Sequence, residues 1–324
     1  MPAYTAKKNL LISVLLLSGT LYARDIDVCL WRGANPEIVI EKFQKKYIDG
    51  PVCAMKHNGQ YVIVSNMDLE DYIAGVLAKE MDAQWPLEAL KAQAVVSRTF
   101  TVYTSGVNRA KGNPYDIENS IYNQVYGTTN CERILKAVQE TEGKVLTYGG
   151  KVMEVFFHAN CGGATSCTSD VWGGNYPHIS SVTDRYCEQT PNYKWSKSFT
   201  AGQLEGILGL PSVKDVEIKE TDAAGRVTLL QVITKNGNIK SLTGHRFRLQ
   251  VNNMARKILF DSPDVLPSTA FIVSKTGNVF HFEGKGYGHG VGMCQWGARI
   301  MAQEGFEYRE ILKHYFPEME IEKR

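Results

Sequence analysis

Two groups of residues in this chain have the types and spacing for acid chemistry on a polar ligand. The first is a single carboxylate. In "LEDYIAGVLAKEM", Leu69, Tyr72, Ile73, Val76 and Leu77 fall at i, i+3, i+4, i+7 and i+8, the spacing of one buried helical face. The next position on that face holds Glu80. Either the helix frays there and the side chain escapes to water, or a carboxyl group sits at the rim of a cleft. In the second case partial burial and the negative helix end both favour its neutral form. A raised pKa is what a general acid working near neutral pH requires. The second group lies in "GKGYGHGVGMCQWGA", where Gly286, Gly288, Gly290 and Gly292 alternate with larger residues. Read as an extended segment, this run has one face without side chains. Repeated glycine weakens a strand and needs a reason. A ligand or another backbone pressing on the bare face would supply one, and so would a bent barrel corner. Tyr287, His289, Gln295 and Trp296 favour the ligand, because aromatic and amide groups suit sugars by stacking and hydrogen bonding.

Other polar groups bear on the same question. Lys91 and Arg98 are seven residues apart and share a face of the next helix. They either run along its solvent edge or help line a polar groove near Glu80. "HANCGGATSC" brings His158, Cys161 and Cys167 together after a strand. These are zinc-ligand types, but there is no CxxC pair and no second histidine at HxxxH spacing. A disulfide involving Cys161 or Cys167 is favoured over a metal in an exported chain. Gly162-Gly163 marks a tight turn that presents His158.

The elements that must position these residues can be read coarsely. "DIDVCLWRG" and "GQYVIVSN" read as short strands. Asp68 is a plausible N-cap for the Glu80 helix, which stops near Met81. Pro86 opens an alanine-rich helix whose many small residues imply close packing on all sides, and Gly106 is expected to end it. A helix near Glu132–Glu140 follows, then a hairpin turning at Gly149-Gly150. Residues 195–250 form a mixed patch, with a helix in "AGQLEGILG" and strands "VTLLQVITK" and "IKSLTG" joined at Asn236-Gly237. "FIVSKTGNVFHFEG" is hairpin-like. Two helices close the chain, "MCQWGARIMAQEG" and "YREILKHYF". The fold class is α+β, with helices packed on short antiparallel sheets around a cleft and a small inserted subdomain at about 195–270.

With 324 residues, 44% hydrophobic and 22% charged, the chain has enough apolar material for a core. Residues 1–23 read as an export signal: Lys7 and Lys8 precede an apolar run, Leu10–Leu17, well short of the roughly 20 residues that span a bilayer. Leu21 and Tyr22 make the cleavage site imperfect, so a retained N-terminal anchor stays open. Without the signal, 34 basic residues face 34 acidic ones, which leaves no electrostatic footprint for nucleic acid. All seven cysteines follow the signal, and their pairing cannot be read from spacing.

"LEDYIAGVLAKEM", "EALKAQAVVSRTF", "NQVYG", "FFHANCGGATS", "VWGG", "LTGHRFR", "GYGHGVGMCQWGA" and "EILKHYFP" occur here in one order. As an ordered set over residues 24–324 they resemble the SpoIID family of peptidoglycan lytic transglycosylases, including its amidase-enhancer branch, LytB. The resemblance implies an exported enzyme that cuts glycan strands between N-acetylmuramic acid and N-acetylglucosamine; some members of that family carry a zinc site, but this sequence shows no convincing set of ligands for one, and no cofactor is expected. The resemblance also implies a preference for strands stripped of stem peptides, and so a working partnership with an amidase. Glu80 matches the family's catalytic glutamate, Lys91 and Arg98 match its basic positions, and Gln124, His158, Tyr287, His289, Gln295 and Trp296 complete the expected substrate-binding set. The family usually carries serines where this chain has Cys161 and Cys294. Two other readings compete: a zinc amidase built on His158 and the nearby cysteines, and a non-catalytic glycan-binding amidase enhancer. A cysteine nucleophile is a third, without a Cys-His pair marked by spacing.

Overall fold

The computed structural model describes residues 25–34, 52–120, 123–174, 176–191, 193–259 and 265–324. The export signal expected at 1–23 lies outside the described residues. The α+β class is as expected, and the core is built in two separate apolar clusters.

The first cluster is organised around the Glu80 helix. A four-stranded sheet runs in the order Val52–His57, Gln60–Asp68, Asp25–Gly33, Ile117–Glu118. Its last pairing is parallel and the others are antiparallel. Gln60–Asp68 feeds directly into the helix Leu69–Glu80. Asp68 caps it: Oδ1 accepts from the N–H of Glu70 at 2.8 Å and of Asp71 at 3.3 Å, satisfying donors that the first turn leaves open. Tyr72 to Leu77 are buried without a break.

The alanine-rich helix Leu87–Ala110 is the axis of this unit. Ala89, Ala92, Ala94, Val95 and Val96 are fully buried, and the Glu80 helix, Glu132–Glu140, Lys144–Tyr148, Gln295–Gln303 and Tyr308–Tyr315 all pack on it. Small side chains let so many elements approach one helix. Gly106 does not end this helix, contrary to the sequence expectation. The helix runs four residues further, because Gly106 keeps ordinary helical geometry and the stop comes at Lys111 and the positive-φ Gly112. A Cβ at Gly106 would meet nothing within 4 Å. Gly106→Ala is therefore expected to stabilise the fold by about 0.5–1 kcal/mol, read as a higher midpoint in denaturant unfolding.

The second cluster gathers Phe199, Leu204, Val216, Leu230, Phe247, Phe280 and Phe282. Two three-stranded sheets carry it, Ile239–Thr243 with Val227–Thr234 and Val213–Thr221, and Phe271–Thr276 with Val279–Lys285 and Lys194–Thr200. The helix Ala201–Leu208 was expected, with Thr200 and Gln203 forming a capping box. The helix Gly244–Leu259 was not.

The glycine run corrects the sequence reading most. It is not an extended strand with a bare face. Gly286, Gly288, Gly290 and Gly292 have φ of 79°, 107°, 84° and 73°, a region that non-glycine residues enter at a cost. What presses on them is protein. A Cβ on Gly286 would lie 2.8 Å from the Asn160 carbonyl oxygen. On Gly288 it would lie 2.9 Å from His158 Cβ, and on Gly292 it would overlap the Phe156 carbonyl. On Gly290 it would overlap the Arg226 guanidinium. The ribbon is thus locked against residues 156–162. Asn160 and Tyr287 exchange backbone hydrogen bonds of 2.9 and 2.8 Å, and Phe157–His158 pairs in parallel with Met293–Cys294.

Candidate active site

A cleft of about 1060 Å³ opens between these elements. Its wall includes Glu80, His158, Tyr287, His289 and Gln295, so five of the nine residues singled out in the sequence meet there. Glu80 stands on the last turn of its helix and is half-buried. Burial raises its carboxyl above the ordinary value, and the Val125 N–H that donates to the carboxylate pulls the other way. Burial wins. Among the described residues no ion pair to Glu80 is formed.

The Glu80 end of the helix is held from two sides. Gln295, 7% exposed, donates through Nε2 to the Glu80 carbonyl and to Gln93 Oε1, both at 3.3 Å. Gln93 in turn donates to Ser97 Oγ at 3.0 Å. The Gln295 amide nitrogen is thereby engaged in holding the Glu80 end of the helix. On the other side, Val125 sits in a loop fixed by Gln124. That side chain is buried, accepting from Thr101 Oγ1 at 2.8 Å and donating to the Ser97 carbonyl at 3.2 Å. Gln124 therefore supports the site from beneath and is absent from the cleft wall.

Gly75 lets this loop approach. A Cβ there would overlap the Gly127 carbonyl oxygen and the Tyr126 ring, and the Gly127 N–H donates to the Gly75 carbonyl at 3.3 Å. Gly75→Ala gains about 1 kcal/mol in helix propensity against about 1–3 kcal/mol of overpacking on a backbone oxygen, so a net loss of stability of up to about 2 kcal/mol is expected. Displacing the loop moves the Val125 donor, and a shift near 1 Å in a catalytic group costs on the order of 100-fold in rate. Activity should therefore fall far more than the melting temperature, a split that parallel rate and thermal measurements check.

The two histidines are neutral. His289 is pushed down to about 3, by burial first and then by the charges of Arg248 and Arg226, against the Phe157 carbonyl. Its Nδ1 accepts from the Val291 N–H at 3.1 Å. Burial, His289 and Arg226 hold His158 well below its ordinary value, against the Val291 carbonyl. With Nδ1 of His158 3.1 Å from that carbonyl, the proton belongs on Nδ1 and Nε2 is an acceptor. That Nε2 is buried and has no partner among the described residues. The depressed His289 value has a consequence for stability. Below an unfolded-state value of about 6.5 the unfolded chain takes up a proton that the folded chain refuses until about pH 3. Stability should fall as pH drops through that window, and His289→Asn should flatten the dependence of melting temperature on pH there.

The remaining sequence candidates lie elsewhere. Lys91 Nζ pairs with Glu88 at 2.6 Å and with Glu140. Arg98 is 1% exposed and makes a two-pronged ion pair with Glu70, with Nε to Oε1 at 2.8 Å. Its Nη1 donates to the Lys144 carbonyl at 3.1 Å. Both cations brace the helices, and neither lines the cleft. Trp296 packs on Trp85 at 4.9 Å, and the Arg299 guanidinium lies 4.7 Å over its ring. It too is outside the cleft wall.

The structure adds cleft residues that sequence reasoning missed. Trp172, 39% exposed, stands 4.8 Å from Phe156 and 5.1 Å from His289. The signal was present in "VWGG", a tryptophan before two glycines. Tyr103, Asn108, Lys111, His245 and Arg248 also line the cleft; the first three lie on or just past the end of the alanine-rich helix and carry no local mark, whereas His245 and Arg248 stand in "LTGHRFR". Two further carboxylates line it as well, Glu118 and Glu154. Glu118 lies 4.0 Å from Arg32, and Glu154 accepts the Tyr176 hydroxyl.

Comparison with known proteins bears on this site. Residues 57–148 match the family described as Stage II sporulation protein, and residues 178–292 match a domain of unknown function. Stage II sporulation protein D of Bacillus subtilis is 33% identical over 279 residues, covering 80% of this chain and 75% of that protein. An uncharacterized protein of Brachyspira hyodysenteriae is also 33% identical over 279 residues, 84% of this chain and 71% of that one. An amidase enhancer of Bacillus subtilis is 30% identical over 288 residues, 76% of this chain but 39% of its own length. The first of these matches contains the Glu80 helix and its supporting loop, and the second contains the glycine ribbon.

Proposed function

Because the chain belongs to the stage II sporulation protein D family, we propose that it is a lytic transglycosylase of peptidoglycan glycan strands, with Glu80 as its general acid. The observation that carries this reading is the placement of Glu80. It is a half-buried carboxyl with a raised pKa, without an ion pair among the described residues, on the wall of a large cleft. A volume of about 1060 Å³ is at the upper end for small-molecule sites and suits a stretch of polymer.

In this mechanism Glu80 gives its proton to the oxygen bridging N-acetylmuramic acid and N-acetylglucosamine. The 6-hydroxyl of the muramic sugar attacks its own anomeric carbon, the bridge breaks, and a 1,6-anhydro ring forms. The Glu80 carboxylate takes the hydroxyl proton and is reset. The nucleophile is already attached to the substrate, which supplies much of the entropic advantage and removes the need for a second carboxylate as nucleophile or base. Trp172 and Tyr287 offer faces for the sugars. The His158 Nε2 acceptor would be satisfied by a sugar hydroxyl, and a neutral His289 leaves Glu80 as the proton source.

On this reading the segment 1–23 directs export, residues 24–324 work in the periplasm or cell envelope, and the preferred strands have lost their stem peptides to a partner amidase. The similarity to an amidase enhancer favours a second reading, in which the cleft binds glycan without cutting it. The purified chain incubated with peptide-free strands, and separately with intact peptidoglycan, distinguishes them. Soluble saccharides released faster from peptide-free strands support the enzyme. Binding without release supports the enhancer, and new amino termini would point to an amidase.

A further inference from the structure

Among the described residues one group of ligand-type side chains is close enough to share an ion, and it is not the set expected from the sequence. It contains Cys161, Asp184, Cys187 and Cys294, all buried, with their donor atoms within 4.8 Å of one another. His158 and Cys167 are not part of it. We infer that these four residues bind a single zinc ion that staples the wall of the cleft.

The donor set argues for the ion class. Three sulfurs and one carboxylate oxygen are a tetrahedral complement for zinc, and Zn–S bonds of about 2.3 Å put neighbouring sulfurs roughly 3.8 Å apart. The cluster has that scale: Cys161 Sγ is 3.2 Å from both Cys187 Sγ and Asp184 Oδ2. A Cys161–Cys187 disulfide would account for two of the four groups and leave the Cys294 thiol and the Asp184 carboxyl buried side by side. Burial keeps such groups neutral when they stand alone, and a cation held among them supplies the charge that lets the thiolates and carboxylate form there.

The surroundings are arranged for sulfur that accepts hydrogen bonds. Cys294 Sγ accepts from the Cys161 N–H at 3.2 Å and the Gly297 N–H at 3.4 Å, and Cys161 Sγ accepts from the Gly163 N–H at 3.4 Å. Asp184 is oriented by the Tyr315 hydroxyl at 2.8 Å on Oδ2 and by the Tyr186 N–H at 3.0 Å on Oδ1. Such outer partners are what fix the direction of metal ligands. Arg226 reaches the Cys161 carbonyl at 2.5 Å.

Position gives the ion its role. Cys161 follows Asn160, whose backbone is paired with Tyr287. Cys294 precedes Gln295, which donates to the Glu80 carbonyl. Asp184 and Cys187 belong to a third segment. One ion would tie the His158 turn, the glycine ribbon and the 184–187 loop together beneath the cleft, independently of what the cleft cuts.

The mature chain purified without chelator and equilibrated with zinc tests this. Elemental analysis should find about one zinc per chain. Cys161, Cys187 and Cys294 should resist alkylation until chelator is added, while the exposed Cys53 reacts at once. Chelator should also lower the melting temperature. Cys187→Ser and Cys294→Ser should each retain at least about tenfold less zinc, and Cys167→Ser should retain all of it. Absence of stoichiometric zinc in the wild-type chain would overturn the inference. That holds whether the three thiols prove freely reactive or the intact mass, two hydrogens light, shows a Cys161–Cys187 disulfide.

Discussion

Glu80→Gln should reduce glycan cleavage by about 100- to 10,000-fold, the usual worth of a positioned general acid, while leaving strand binding and the melting temperature nearly unchanged. The amide keeps the size of the side chain and can still face the Val125 N–H, but it has no proton to deliver to a leaving oxygen. Little stability is at stake, because Glu80 makes no ion pair among the described residues and its helix end is held through the main-chain carbonyl by Gln295. Glu80→Asp is a sharper version: it keeps the acid and shortens its reach by one methylene, so partial activity is expected. The pH dependence has a definite sign. The working form of Glu80 is protonated and burial raises its pKa, so the rate on glycan should fall as pH rises through that value. His289 stays neutral down to about pH 3 and should add no inflection near neutrality.

The largest loss of stability is expected from Gly292→Ala. Two costs combine. An L-residue at φ 73° costs roughly 1–2 kcal/mol, and the new Cβ would overlap the Phe156 carbonyl, where overpacking costs about 1–3 kcal/mol. The neighbour is backbone and cannot rotate away. It also accepts the Met293 N–H at 3.0 Å and immediately precedes the strand Phe157–His158. A loss of about 2–5 kcal/mol should follow, together with loss of activity. Gly277→Ala is the control. Its φ is 59° and nothing lies within 4 Å of the added Cβ, so only the conformational cost applies. The difference between the two variants in denaturant unfolding isolates the contact with Phe156.

What could be read in the sequence divides along a physical line. Local devices were legible: the Asp68 cap, the amphipathic face that ends at Glu80, the turns at Gly149-Gly150 and Asn236-Gly237, and the fold class that follows from them. These depend on neighbours a few residues apart. The glycine ribbon was recognised as unusual but misread, because alternation of glycine fits a strand and a left-handed ribbon equally. Only the approach of residues 156–162 decides between them. The helix Gly244–Leu259 was overlooked because it begins with glycine and histidine and its cap, Thr243 Oγ1 accepting from the Arg246 N–H at 3.2 Å, sits at the end of what reads as a strand.

For the site, residue type was a better guide than role. Gln124 and Gln295 proved to be supports for Glu80, and Lys91 and Arg98 found carboxylate partners on other helices. Those assignments depend on which elements face each other, which one-dimensional spacing does not contain. The convergence of Cys161, Asp184, Cys187 and Cys294 is the extreme case, since its members come from three separate segments that span more than a hundred residues. Trp172, His245 and Arg248, by contrast, stand in the motifs "VWGG" and "LTGHRFR", where similarity marks the segment and only the fold shows which side chains face the cleft.

The central claim is that one carboxyl group on the Glu80 helix cuts the strand with the substrate's own hydroxyl as nucleophile, although Glu118 and Glu154 share the cleft. Digestion of peptide-free glycan strands in ¹⁸O-water, followed by mass spectrometry of the new ends, tests it most directly. The account predicts ends that lack one water and carry no heavy oxygen, and none from Glu80→Gln. Reducing ends labelled with ¹⁸O, or undiminished cleavage by Glu80→Gln, would contradict it.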